Sequence, residues 1–287
     1  MIKFRVVDYL EDYLEKGAGM EGKQGKGLTI SILGARGSMA SEGEDMLEYG
    51  GATSCVLAES AGQAIFFDAG TGIMAAPQTG DEAISLFFTH THLDHVIGLP
   101  FFPQIFERDK RIDVYGPSFN GEGIKGQLDR LFVPPYWPCT IDKYPADIRF
   151  NELELPIKIG EVLIEGINGS HPGGSIIYKV SAFGKSAVYA TDYEYTEDSA
   201  ARLIAFAKDT DLLLIDAQYT DDEYKTRNGF GHSTLDKAMV IAKECMARNV
   251  RIVHHDPRHN DQVLKSLENK VKDEHVMFAR RGEKIEL

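Results

Sequence analysis

Cysteine is scarce in this chain. Cys55, Cys139 and Cys245 are the three in 287 residues, widely spaced and without a C-x-x-C pair. An odd, scattered set builds neither a disulfide framework nor a thiolate zinc site, so all three are expected to be reduced packing residues. Long apolar runs are missing too. Ile84-Ser85-Leu86-Phe87-Phe88 reaches only strand length, against the roughly 20 residues a membrane helix needs. Residues Met1 to Asp8 lack the apolar core and cleavage site of a secretory leader. A cytoplasmic setting with no membrane partner is therefore expected. Positive charge is the third shortage, with 31 Lys+Arg against 44 Asp+Glu and a net charge of −13. That balance opposes the counterion release that drives binding to long nucleic acids, and no long nucleic acid is expected as a partner.

What is present is a globular composition, 43% hydrophobic and 26% charged. Ile2, Val6, Leu10 and Leu14 recur at helical spacing, so residues 1–16 read as one amphipathic helix followed by a glycine-rich spacer to residue 27. From Leu28 onward, short apolar strands dominate: Thr29–Leu33, Cys55–Glu59, Ala64–Asp68, Ile84–Thr89, Ile112–Tyr115, Val162–Ile167, Ile176–Ala182, Ala187–Thr191, Leu212–Asp216, Val250–His254 and Val276–Ala279. Helical patterns fall near Ile97–Phe106, Gly123–Phe132, Glu197–Lys208, Thr234–Arg248 and Asn260–Val271. Residues 28–287 are thus expected to form one α/β domain, an αββα sandwich of two mixed sheets packed face to face with helices outside. Gly116–Phe150 has little periodicity and carries Pro134-Pro135-Tyr136-Trp137-Pro138, and reads as an inserted subregion near the site.

The strongest signal is His90-Thr91-His92-Leu93-Asp94-His95, directly after the strand at Ile84. On an extended backbone His90, His92 and Asp94 project to one side, and the turn that follows brings His95 to the same place. Four metal-ligand side chains within six positions suit two adjacent metals. Before it lies Phe67-Asp68-Ala69-Gly70-Thr71-Gly72, and farther along come Ser170-His171-Pro172-Gly173, Ala190-Thr191-Asp192 and Val253-His254-His255-Asp256. Together these five motifs resemble the metallo-β-lactamase superfamily of dinuclear metallohydrolases, in order, over residues 28–287.

The resemblance implies that His90, His92 and His171 hold one metal, that Asp94, His95 and His255 hold the other, and that Asp192 bridges them. Asp68 would support the site from behind the ligands. The register favours His255 over His254, which then faces the other side of its strand and supports a ligand. Two divalent ions are implied, zinc foremost, with manganese and iron also suited to histidine and carboxylate donors.

Gly229-Phe230-Gly231-His232-Ser233-Thr234 is similar to a segment of the branch that contains tRNase Z and cyclic-nucleotide phosphodiesterases. There the histidine lies near the scissile phosphate, and Asp216 in Leu214-Ile215-Asp216-Ala217 is placed to orient it. The catalytic set implied is Asp94, His232 and Asp216. The stretch Gly116–Phe150 balances Lys125, Arg130, Lys143 and Arg149 against Glu122, Asp129, Asp142 and Asp147, a net charge of 4 − 4 = 0. Its neutrality favours a small anionic phosphodiester, a cyclic or short nucleotide, attacked by a water that both metals share. Arg36 and Ser38 after the first strand are candidate phosphate contacts, and Tyr136 and Trp137 candidates for stacking a base. A homodimer through Tyr136 and Trp137 is compatible with this reading. Two rivals are a thioester or lactone hydrolase, for which His232 is dispensable, and a non-hydrolytic diiron oxygen-binding or sensor module. A flavodiiron-type site carries Glu where this chain has His92, which argues against the second.

Overall fold

A computed structural model describes residues 27–80 and 83–287. The helix expected over residues 1–16 and its glycine spacer lie outside the described residues. Strands form where β-branched and aromatic residues cluster between turn residues. The first sheet comprises β1 (Thr29–Gly34), β2 (Cys55–Ser60), β3 (Gln63–Phe67), β4 (Ile84–Phe87), β5 (Arg111–Tyr115) and β6 (Asp147–Asn151). The second comprises β7 (Ile157–Ile159), β8 (Val162–Asn168), β9 (Ile176–Ala182), β10 (Lys185–Ala190), β11 (Leu212–Asp216), β12 (Val250–Val253) and β13 (Val276–Phe278). The last strand, β14 (Lys284–Glu286), returns to pair with β1, so the two sheets run β14-β1-β2-β3-β4-β5-β6 and β13-β12-β11-β10-β9-β8-β7.

Neighbouring residues of the central strands enter different layers because strand side chains alternate. Phe67, Phe87 and Leu214 pack between the sheets with Tyr178 and Val180. Phe66, Leu86 and Phe88 point instead to an outer layer that contains Phe102, Leu128 and Phe132. Leu213 and Ile215 do the same on the other side, under Leu203, Ile241 and Leu264. Two buried faces explain why these strands read as continuous apolar runs. Each buried Leu, Ile or Phe contributes roughly 1.5–3 kcal/mol.

The covering helices are α1 (Leu93–Val96), α2 (Ile124–Leu131), α3 (Glu197–Phe206), α4 (Asp221–Tyr224), α5 (Leu235–Glu244) and α6 (Asp261–Glu268). Where a longer helix was expected over Ile97–Phe106, the chain makes two 3-10 turns, Leu99–Phe101 and Pro103–Phe106, because Pro100 and Pro103 each remove an amide donor. β6, β7 and β14 escaped the sequence reading. All three are sheet edges, or neighbours of one, carrying charge at alternate positions, a composition that blunts edge pairing. β6 begins within the Gly116–Phe150 stretch, pairs with β5 in parallel and completes the first sheet. No helix among the described residues is long and apolar enough to cross a membrane.

β3, β4, β10, β11 and β12 take part in parallel pairings, and their carboxyl ends open on one rim, the usual address of a site in such sheets. Arg36 ties that rim together and does not reach a substrate, contrary to the expectation. Its fully buried guanidinium donates to Gly50 O from Nε (3.2 Å) and Nη2 (2.9 Å), and from Nη1 to Asp256 O (3.0 Å) and His259 O (2.7 Å). Hydrogen bonds to a charged donor are worth about 1.5–3 kcal/mol each, and an ammonium cannot span this fork. Arg36→Ala is therefore expected to cost about 3 kcal/mol or more in urea denaturation, with little recovery in Arg36→Lys; an unchanged midpoint would contradict this role.

Candidate metal centre

The loops after the parallel strands bring the chemistry-bearing residues to one point. His90 and His92 follow β4, Asp94 and His95 lie on α1, His171 lies in the β8–β9 connection, Asp192 follows β10, and His254 follows β12. Two groups result, His90-His92-His171-Asp192 and Asp94-His95-His254. Asp192 faces both with different oxygens. Its Oδ1 lies 3.6 Å from Nε2 of His90 and 3.6 Å from Nε2 of His171. Its Oδ2 lies 3.0 Å from His95 Nε2 and 3.3 Å from His254 Nε2. Asp94 Oδ2 completes the second group, 3.1 Å from His254 Nε2 and 3.3 Å from His95 Nε2.

These residues fit a divalent-metal site. Among the described residues, Nε2 of His90 and of His95 are buried without a hydrogen bond, an arrangement a protein rarely tolerates unless an ion takes the lone pair. Metal bonds of about 2.0–2.1 Å in tetrahedral geometry separate neighbouring donors by about 3.3 Å, close to the spacings here. The opposite ring nitrogens of three of these histidines are also engaged, as is usual for metal-binding histidines. His95 Nδ1 donates to Asp68 Oδ2 (2.8 Å), His171 Nδ1 donates to Gly231 O (2.9 Å), and His90 Nδ1 meets Thr89 Oγ1 (3.1 Å). Thr89 in turn donates its amide to Asp68 Oδ1 (2.8 Å).

Burial works against charge on Asp192, yet His254, His95 and His90 outweigh it and hold the carboxyl well below the usual range. His254 shows the converse: against burial, Asp192, Asp94 and Asp216 raise its imidazole to about 9. Beside the cluster His232 Nδ1 donates to Asp216 Oδ2 (2.8 Å), and its ring stacks on His254 at 4.7 Å. Asp216 is fully buried and accepts the Asp192 and Gln218 amides as well, both at 3.1 Å.

Three expectations need correction. His254, not His255, enters the cluster. The strand stops at Val253, and His254 adopts φ 60°, so the alternation that placed His255 inward ends one residue early. His255 N then donates to Ala35 O (2.9 Å), and its ring packs on Phe278 and Tyr49 with Nε2 on Ala279 O (2.9 Å). Burial lowers its pKa to about 3, leaving it a neutral core histidine. Gly37 makes room for the exchange, since a Cβ there would lie 2.3 Å from His254 Nδ1. Tyr136 and Trp137 do not line the cavity beside the metal centre. Trp137 packs edge-on against Phe101 and Phe132 and donates to Tyr144 Oη (3.1 Å), while Tyr136 is 83% exposed. Ser38 meets the site through its amide, which donates to Asp94 Oδ2 (2.7 Å).

Sequence reading missed Glu194, two residues after Asp192. Its carboxylate accepts the amides of Gly229 (2.6 Å) and Gly231 (3.0 Å) and the Tyr224 hydroxyl (2.6 Å). That clamp sets the loop carrying His232 and turns Gly231 O toward His171. Gly231 has φ 93°, and a Cβ there would lie 2.1 Å from His171 Nδ1. The cluster G-F-G around Phe230 was the available signal of a loop needing such support.

Comparison with known proteins agrees with the architecture. The family model described as the Beta-lactamase superfamily domain matches residues 57–255. Ribonuclease Z of Haloferax volcanii is 23% identical over 292 residues, covering 82% of this chain and 90% of its own length. Among solved structures, the metallo-beta-lactamase fold protein YhfI from Bacillus subtilis superposes with a TM-score of 0.69 at 19% identity, over 92% of this chain and all of its own. Human tRNase Z, short form, gives 0.64 at 19% identity, over 90% and 98%. Relatives with these names overturn the expectation that long nucleic acids are excluded and that the substrate is small. A net charge is a sum over the chain, whereas phosphate recognition depends on the local field, which bound cations dominate.

The Glu194 clamp can be tested without any activity. Removing a charge-assisted hydrogen bond worth about 1.5–3 kcal/mol from two loop amides should release them locally. Glu194→Ala is expected to speed hydrogen exchange at Gly229 and Gly231 about tenfold or more, with the β10 and β11 amides unaffected; unchanged exchange would remove the clamp.

Proposed function

Since the chain belongs to the β-lactamase superfamily, we propose that it is a metal-dependent hydrolase that cleaves phosphodiester bonds in RNA. The observation that carries this reading is the His232–Asp216 pair set against a two-centre histidine and carboxylate cluster. An acyl hydrolase has no need of that pair. The ribonuclease Z relatives support RNA as the polymer.

His90, His92, His171 and Asp192 Oδ1 would hold one divalent cation, and Asp94, His95, His254 and Asp192 Oδ2 the other. Zinc, manganese and iron all suit these donors, zinc foremost. When bound, such a pair supplies Lewis acidity toward a phosphoryl oxygen and a lowered pKa for water. The chain's own groups do the rest. Asp94 is fixed by the Ser38 amide, and its carboxylate accepts a proton from the attacking water. Asp216 accepts a hydrogen bond from His232 Nδ1 and so stabilises the imidazolium form, whose second proton on Nε2 goes to the departing ribose oxygen or is shared with a phosphoryl oxygen. Tyr219 lies edge-on to the His232 ring at 5.7 Å and limits its rotation.

The test uses purified protein reloaded separately with zinc, manganese and iron, assayed on a labelled tRNA transcript and on bis-p-nitrophenyl phosphate. His232→Ala is expected to lower kcat about 10²- to 10⁴-fold with metal content unchanged. Asp192→Ala and His254→Ala should lose bound metal, whereas His255→Asn should keep it. Full activity in His232→Ala would end its proposed role. Absence of turnover on both substrates with metal loaded would end the phosphodiesterase reading.

A further inference from the structure

Residues 116–123 form a small turn in which Phe119 and Glu122 exchange both backbone hydrogen bonds at 2.9 Å. Gln127 on α2 fastens it from inside. Its Nε2 donates to Pro117 O (2.8 Å) and Glu122 O (2.9 Å), while its Oε1 accepts the Thr91 hydroxyl (2.7 Å). Thr91 stands between His90 and His92, so the turn and the metal-binding segment are braced as one piece. At the tip Phe119 is 48% exposed, although a phenyl ring gains from cover wherever packing offers it. Opposite lies the bend after His171, where a Cβ on Gly173 would be 3.7 Å from Phe119 Cε2.

Between them is a cavity of about 250 Å³ walled by His90, His92, Phe119, Gln127, Asn168 and Gly174 among others. It is smaller than the roughly 300–1,000 Å³ of pockets that take drug-sized ligands, and its contents must touch two histidines of the metal centre. A wall that contains a phenyl ring, exposed glycine backbone and the Asn168 carboxamide suits one flat heteroaromatic ring laid on Phe119. Stacking adds affinity for RNA without drawing on charge and accepts any base.

We propose that Phe119 is a substrate-binding residue that stacks the nucleobase adjacent to the scissile phosphate, holding that nucleotide against the His90 and His92 side of the centre. The proposal rests on the RNA reading above. It replaces Tyr136 and Trp137, which do not line this cavity, with a residue from the same Gly116–Phe150 stretch.

Two readouts test it. In steady-state cleavage of a labelled tRNA transcript by the zinc-loaded protein, Phe119→Ala should raise KM about 5- to 150-fold, the range of one base stack, and Phe119→Trp should restore it. In equilibrium binding to the His232→Ala protein, RNAs carrying 2-aminopurine at successive positions should show fluorescence quenching at a nucleotide flanking the cleaved bond. That quenching should vanish when Phe119→Ala is added and persist with Phe119→Trp. Normal KM and intact quenching in Phe119→Ala would overturn the proposal while leaving the hydrolase reading standing. Phe119-dependent quenching by a wild-type protein that cleaves no RNA would do the reverse.

Discussion

The rest of the structure turns on one carboxylate. Asp192 directs Oδ1 to His90 and His171 and Oδ2 to His95 and His254, so two histidine sets, each drawn from both sheets, share a single anion. Burying that charge alone is prohibitive, and gathering five imidazoles around it without cations, three of them buried, leaves lone pairs facing one another. Each set makes sense only with the other present. The carboxylate therefore sits at the junction of the sheets, where β4 of the first and β10 and β12 of the second end side by side.

Placing it there costs backbone strain. Asp192 adopts φ 51°, Asp68 φ 62°, His254 φ 60° and Ser38 φ 59°, all in the left-handed region that non-glycine residues avoid. Residues held in sparsely populated backbone regions cost of order 1–3 kcal/mol each and persist where surrounding structure over-determines them. Here the surroundings do so. Asp68 is held by Thr89 and His95, Asp192 by the link of its amide to Asp216, and the chain around His254 by Ala35 O and by Gly37 N on His255 O. The strain turns side chains at strand ends out of the sheet layers and into the gap between them.

Asp216 extends this logic beyond the ligands. It carries His232, receives the Asp192 amide and lies 3.5 Å from His254 Nδ1. The group that handles a substrate proton and the groups that hold metal thus share one buried anion, and their geometry is set together. Glu194 does the same for the loop backbone, linking the position of Gly231 O behind His171 to that of His232 one residue on. The net charge of −13 is no obstacle to an anionic polymer at such a place. Cations bound in the cluster and hydrogen-bond donors on its rim define the field an approaching phosphate meets, and distant carboxylates are screened over about a Debye length.

By itself the sequence determined the two-sheet sandwich and the gathering of His90, His92, Asp94 and His95, because each depends on local periodicity or on neighbours within six positions. The pairing of His232 with Asp216 was implied by the family resemblance of the two segments that carry them. Only tertiary structure decided between His254 and His255. That choice hangs on a single left-handed residue, which alternation counted along a strand does not see, and on the missing Cβ of Gly37, far away in sequence. It also decided that Arg36 is a buried tie, that Trp137 packs inward, that Phe119 lines the cavity beside the centre and that Glu194 clamps the loop carrying His232. Each of these roles is defined by partners brought close by the folding of both sheets, and a side chain's type does not reveal which distant backbone it will meet.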